Sequence, residues 1–344
     1  MSTVLQYLDQ EPFRFLLSFG AILFLVLNLA AVLTMAERKA SAYIQLRFGP
    51  NRVGPRGLLQ PAADVFKLFS KENLSPNSAD RWIFLAAPIA LFIPAAVVWL
   101  TVPFAPGAVV ADLNIAVVFF IAVTSIGALG VIMAGYGSRS NFSLLGALRG
   151  AAQMISYEVP MILSLLGVIM LAGSLSLVDI VNAQAGGFWR WYFLPQFPMF
   201  IAFYVAGLAE ARRVPFDLPE GESEIVGGFM VEYSGMTWAL IQAAEFASMA
   251  LISAITATLF FGGVAAADRR AGPRKLQLGL VWPQNVAHHL HLSVGAVEPA
   301  ASQDGPAHGL RLEDTRAGNS RLAVRYRRRD ADSLTRRVPR LCPR

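Results

Sequence analysis

The sequence predicts an all-α fold, a polytopic transmembrane helical bundle, and three observations predict it. Of its 344 residues, 55% are hydrophobic and only 15% charged, where a soluble domain carries about 25% charged residues. Apolar runs recur at the length a helix needs to cross a hydrocarbon core of about 30 Å. Carboxylates nevertheless stand at the ends of those runs or inside them. Each costs roughly 2.5–3.5 kcal/mol at a helix centre on insertion scales, so they are rarely kept there without a task.

The first apolar run, residues 15–36, is long enough to span. It is too long for a signal-peptide core, and Glu37-Arg38-Lys39 stands where a small-residue cleavage site would be expected, so the run is retained. The stretch ERKASAYIQLRFGPNRVGPRGLLQPAADVFKLFSKENLSP follows. It is too polar to span, and its GPNRVGPRG centre reads as turns. Beyond those turns, Leu58, Leu59, Ala62, Ala63, Val65, Phe66 and Phe69 alternate with Asp64, Lys67 and Lys71. That pattern predicts an amphipathic helix on the membrane surface. The stretch reads either as a basic loop holding topology or as the rim of a pocket that accepts a lipid-like molecule.

Further runs lie near residues 82–102, 113–135, 149–173, 188–209 and 234–263, which makes six spans and no repeat. Basic residues crowd the first-to-second loop and recur as Arg139 and Arg149, then Arg212 and Arg213. The second-to-third loop has none, and the fourth-to-fifth has only Arg190. Positive residues stay cytoplasmic. Loops 1–2, 3–4 and 5–6 are therefore expected in the cytoplasm and the N-terminus outside, in a bacterial cytoplasmic (inner) membrane.

Within span four, Pro160 lacks an amide hydrogen and frees the Ser156 carbonyl one turn back, so a kink is expected near Glu158. Gln153, Tyr157 and Glu158 together suggest a hydrated polar site, with a purely structural carboxyl as the alternative. In the fifth-to-sixth loop, Asp217-Leu-Pro-Glu220 resembles a helix start with a capping acid. Glu220 and Glu224 would share a face, with Glu222 and Glu232 nearby. Crowding and burial raise the proton affinity of such acids toward neutral pH. The loop also reads as merely solvated and paired with Arg212 and Arg213. Glu210 and Glu245, at or inside spans, favour the functional reading, and Gln242 lies one turn from Glu245.

Charge and ligand types divide the chain. Up to Gly263 there are 14 Lys and Arg against 16 Asp and Glu, and from Val264 onward 15 against 7. All four histidines and the single cysteine, Cys342, lie in that basic tail. The first 263 residues thus offer neither the usual haem ligands nor cysteines for an iron–sulfur cluster. Electrons for any redox reaction served here must come from a partner.

The motifs ERKASAYIQLRFGPNRVGPRGLLQPAADVFKLFSKE, SYEVP and AEARRVPFDLPEGESEIVGGFMVEYSG, followed by AEF and LFFGG, closely resemble the H-subunit (subunit 1) family of NADH:quinone oxidoreductase, respiratory complex I. The resemblance runs from Met1 to about Gly263. It implies a membrane subunit of a proton-pumping enzyme that forms part of the quinone-binding chamber and couples quinone reduction to proton translocation. Quinone is then the substrate and this chain binds no cofactor; NADH, FMN and iron–sulfur clusters belong to partner subunits. The implied partners are peripheral-arm quinone-site subunits, antiporter-like membrane subunits, quinone and lipid, with no nucleic acid. By motif, Glu158, Glu210 and Glu245 are the expected intramembrane acids, and Asp217, Glu220, Glu222, Glu224 and Glu232 the acidic loop leading to them. Glu37, Arg38, Arg47 and Arg52 are expected in the quinone-binding region, and no metal site is expected.

After LFFGG the family pattern continues to eight spans, but residues 264–344 form a basic tail that departs from it. The tail reads as out of frame or as a disordered extension, and a metal role for His288, His289 and His291 is disfavoured there. Residues 1–263 are taken as the quinone-chamber and proton-coupling domain. Two rival readings are the homologous membrane component of a membrane-bound hydrogenase or formate hydrogenlyase, and a stand-alone cation/proton transporter. No inverted repeat or pair of broken helices supports the transporter.

Overall fold

A computed structural model describes residues 12–104, 109–185, 188–213 and 215–263; of residues 12–16, 188, 222 and 223 it describes the backbone alone. The tail, with its histidines and cysteine, lies outside these residues. The described residues are helical, turn or irregular, without strands, and all fall within one contact unit.

Helix α1, Pro12–Ile44, continues past the expected span through Glu37 and Arg38. Helix α2, Gln60–Ser70, is the amphipathic segment and buries none of its residues within the chain. Arg38 bonds Asp64 at 2.6 Å and ties α2 to α1, while Gln60 holds the other carboxylate oxygen at 2.9 Å. Helices α3 (Arg81–Val98), α4 (Ala116–Ser138) and α5 (Asn141–Ala172) pack in sequence, each against the next. Helix α5 runs through Pro160. After the short α6, Leu177–Ala183, come α7, Phe197–Glu210, and the single turn α8, Glu222–Ile225. The last described helix is α9, Gly235–Phe260.

Five of these helices are long and apolar enough to cross a membrane. The expected fifth span differs: residues 188–196 form a 3-10 turn and further turns, so only the 14 residues of α7 are helical. At 1.5 Å per residue that helix rises only about 21 Å. Pro198 falls in its first turn, where the missing amide hydrogen costs no helical hydrogen bond.

The bundle turns its apolar side chains outward as well as inward. On α3, Leu85, Ile89 and Ile93 are exposed along one face while Phe84, Ala87, Leu91 and Ala95 are buried on the other. An exposed apolar stripe of this kind is the pattern expected of a lipid-facing helix. Helix α9 is the centre: 89% of its most apolar stretch is buried, against 28% for α1 and for α5. It packs on α1, α2, α3, α6 and α7, which brings Glu245 into the interior.

Both ends of α9 are held by side chains from distant sequence. At its start, Asn73 Oδ1 accepts from the Met236 amide at 2.9 Å, and the Ser234 hydroxyl accepts from the Leu74 amide at 2.9 Å. At its end, buried Gln184 donates toward the carbonyls of Thr258 and Leu259, both at 3.1 Å, and accepts from Gly262 at 3.0 Å. The bonds to Met236, Thr258 and Leu259 satisfy backbone groups that a helix terminus leaves without partners.

Candidate functional site

A cavity of about 1010 Å³ opens between α1, the loop after it, α2 and the start of α9. Glu37, Arg38, Arg47 and Arg52 all line it, as do Arg213 and Gln242. Leu27, Ala30 and Ala31 of α1 and Leu240, Ala243 and Phe246 of α9 give it an apolar wall. The polar groups are gathered where α1 leaves the apolar run, so the cavity joins a greasy side to a charged end.

Arg213 connects this cavity to the interior. Its Nη1 donates to Glu37 Oε1 at 3.0 Å and its Nε lies 2.9 Å from Glu245 Oε1. The guanidinium also sits over the Phe246 ring, 4.9 Å from the centroid. Glu245 is only 3% exposed, so an ionised carboxylate there depends on the arginine beside it. Burial works against the charge on Arg213. Glu245, Glu37, Glu220 and Asp217 together outweigh burial and push its proton affinity above the ordinary arginine value.

Further acids are electrostatically linked to this pair. Glu220 feels Glu245 on one side and Arg212 on the other; Glu210 feels Arg212 and Glu158. Glu220 lies in the loop outside the spans. Burial first, then repulsion from Glu245 and Asp217, pushes its carboxyl up to about 8, against the opposing pull of Arg212 and Arg213. Arg212 is 5% exposed, with its guanidinium 5.1 Å from the centre of the Phe229 ring. Gln153 donates to the carbonyls of Ala209 and Phe216, both at 2.8 Å, which fixes α5 against the end of α7 and the acidic loop. Tyr157 packs edge-on to Phe216 in the same seam.

The loop is pressed onto a small-residue face of α5. Gly228 has a φ of +56°, and a Cβ there would meet the Pro219 carbonyl oxygen at 1.7 Å. A Cβ on Gly146 would lie 2.6 Å from Gly228 Cα. Tyr233 ends the loop, stacked on Phe84 at 4.1 Å with its hydroxyl bonded to the Phe84 carbonyl at 3.1 Å.

The expected site residues do not all fall in this series. Glu224 is exposed and pairs with Arg149 at 2.6 Å, the kind of surface pair worth about 0–1 kcal/mol. Glu232 is half-buried, and the Glu222 side chain lies outside the described residues. Helix α8 starts after Gly221, with no side-chain cap, so Asp217 does not cap it; its carbonyl instead accepts from the Gly221 amide at 3.2 Å. One residue not singled out from the sequence joins the site, Ser125, whose hydroxyl bonds Glu158; Arg212 and Arg213, read from the sequence only as basic loop residues and candidate partners of the acids, stand beside the buried carboxylates. Two arginines directly after an apolar run and before a crowd of acids were the available signal; no sequence signal marks Ser125.

Spanning helices around a half-charged chamber, with an ion pair leading from its wall into the bundle, define a polytopic membrane protein with an internal charged site. A sequence model of the family described as NADH dehydrogenase matches residues 17–287. The H subunit of the NADH-quinone oxidoreductase of Rubrobacter xylanophilus is 78% identical over 259 residues, which are 75% of this chain and 78% of that protein. The chain therefore belongs to the NADH dehydrogenase family.

Proposed function

We propose that this chain is the membrane subunit of an NADH-quinone oxidoreductase, complex I, in which the cavity takes quinone and the acids couple its reduction to proton movement. The similarity to a component of that enzyme supports the assignment over a hydrogenase or formate hydrogenlyase component and over a stand-alone transporter. Other complex I subunits are its partners, and those carrying NADH, FMN and iron–sulfur clusters supply the electrons. The basic loops support a cytoplasmic side for the cavity's charged end in a bacterial membrane.

The observation that carries the reading is Arg213 held between Glu37 on the cavity wall and buried Glu245. Reducing a quinone takes two electrons and two protons, so the charge in the chamber changes during turnover. A change of charge beside Glu37 alters how strongly it holds Arg213, and Arg213 in turn sets the charge that Glu245 tolerates. Glu220, Glu210 and Glu158 continue the series away from the chamber. The apolar walls of α1 and α9 suit the tail of a quinone, and the Glu37 and Arg38 end suits its polar ring.

A photoreactive quinone bound to the purified complex tests the chamber. Labelling is expected on the cavity faces of α1 and α9 and should be suppressed by excess unmodified quinone. Competed labelling confined to other subunits would rule the chamber out.

A further inference from the structure

Glu158 touches a side chain of a neighbouring helix that the acid series leaves out. On α4, the Ser125 hydroxyl is hydrogen-bonded to Glu158 Oε1 and also lies 2.9 Å from the Ile121 carbonyl oxygen, one turn back on its own helix. Both residues are half-buried. A serine hydroxyl has one proton to donate and two lone pairs with which to accept. It cannot donate to Glu158 and to Ile121 at the same time.

Two self-consistent forms follow. With Glu158 ionised, Ser125 donates to the carboxylate, a charge-assisted bond. With Glu158 protonated, its O–H donates to Ser125, and the serine turns its own proton to the Ile121 carbonyl. Between the two forms one proton is added to Glu158, and Ser125 keeps its own throughout. Adjacent Thr124 provides the contrast: its hydroxyl lies 3.0 Å from both the Phe120 and Ile121 carbonyls, and so is engaged by its own helix.

We propose that Ser125 is the positioning residue for Glu158 in proton coupling, a hydroxyl that turns between the Ile121 carbonyl and the carboxyl so that Glu158 is hydrogen-bonded in both charge states. The proposal rests on the reading of Glu158 as a proton-carrying acid. A carboxyl bonded in only one state would be biased toward that state, because losing a hydrogen bond to a charged group changes its protonation equilibrium about tenfold or more. A partner that serves both states keeps the proton exchangeable.

The test uses complex carrying Ser125→Ala, Ser125→Thr or Glu158→Gln, reconstituted in liposomes. Two quantities are read: protons moved per NADH oxidised, and the carboxylic C=O band in redox-difference infrared spectra that Glu158→Gln removes. Ser125→Ala should move that band to higher frequency and lower the proton yield, and Ser125→Thr, which keeps the hydroxyl, should restore both. An unmoved band with full proton yield in Ser125→Ala overturns the proposal, and so does a loss in Ser125→Thr as large as in Ser125→Ala. If Ser125→Ala fails to assemble, Ser125→Cys replaces it: its sulfur, a weaker acceptor for the Glu158 O–H, should shift the band part of the way, and an unmoved band again overturns the proposal. Full pumping by Glu158→Gln would instead overturn the underlying reading and the proposal with it. A lost yield in Glu158→Gln beside a full yield in Ser125→Ala overturns the proposal alone.

Discussion

Arg213 holds two carboxylates at once, so its removal leaves both Glu37 and Glu245 without their guanidinium. Breaking a buried pair by deleting one partner costs about 3–5 kcal/mol, because the other charge stays buried. Arg213→Gln should therefore lower the thermal stability of the assembled complex, and Glu245→Gln on the same background should recover part of the loss. Both are read as melting shifts in detergent. Glu220 makes a prediction in pH. Its carboxyl, raised from 4.5 to about 8 in the folded chain, keeps a proton that the unfolded chain has already released between those values. The folded state then binds more protons, so this residue's contribution favours folding at low pH and is lost as pH rises from about 4.5 through 8. Glu220→Gln should flatten the pH dependence of stability across that window; an unchanged slope would mean that Glu220 is ionised at neutral pH.

At the scale of the element, the acidic loop shows how far the sequence could be read. Its carboxylates and the spans on either side were legible from composition and run length. Its attachment was not, because it depends on which glycines face each other across α5. Gly146 and Gly228 meet from positions 82 apart in sequence, and no local pattern announces such an approach. Gly228→Ala would need a positive φ with a Cβ driven against the Pro219 carbonyl. It should detach the loop at a cost of at least about 1–3 kcal/mol, seen as faster proteolytic cleavage between α7 and α9 than in Gly221→Ala, where φ is not positive and the nearest atom is 3.8 Å away. Periodicity and run length overestimated the fifth span for a similar reason. They register that residues 188–209 are apolar, but not that residues 188–196 fold as turns before the helix begins at Phe197. The ends of α9 were hidden too, since Asn73 and Gln184 act on it from other parts of the chain.

At the scale of the whole molecule, the most buried of the described long helices carries buried Glu245, and the least buried ones face outward. Glu245 pairs with Arg213 on the cavity wall, and the proposed acid series runs from it to Glu158. The central claim is that protonation of this series is tied to what happens in the chamber. The most direct measurement is the number of protons moved per NADH oxidised by intact complex carrying Glu245→Gln in sealed liposomes. The account predicts quinone reduction that continues with fewer protons moved per NADH; an unchanged proton yield at unchanged turnover would contradict it.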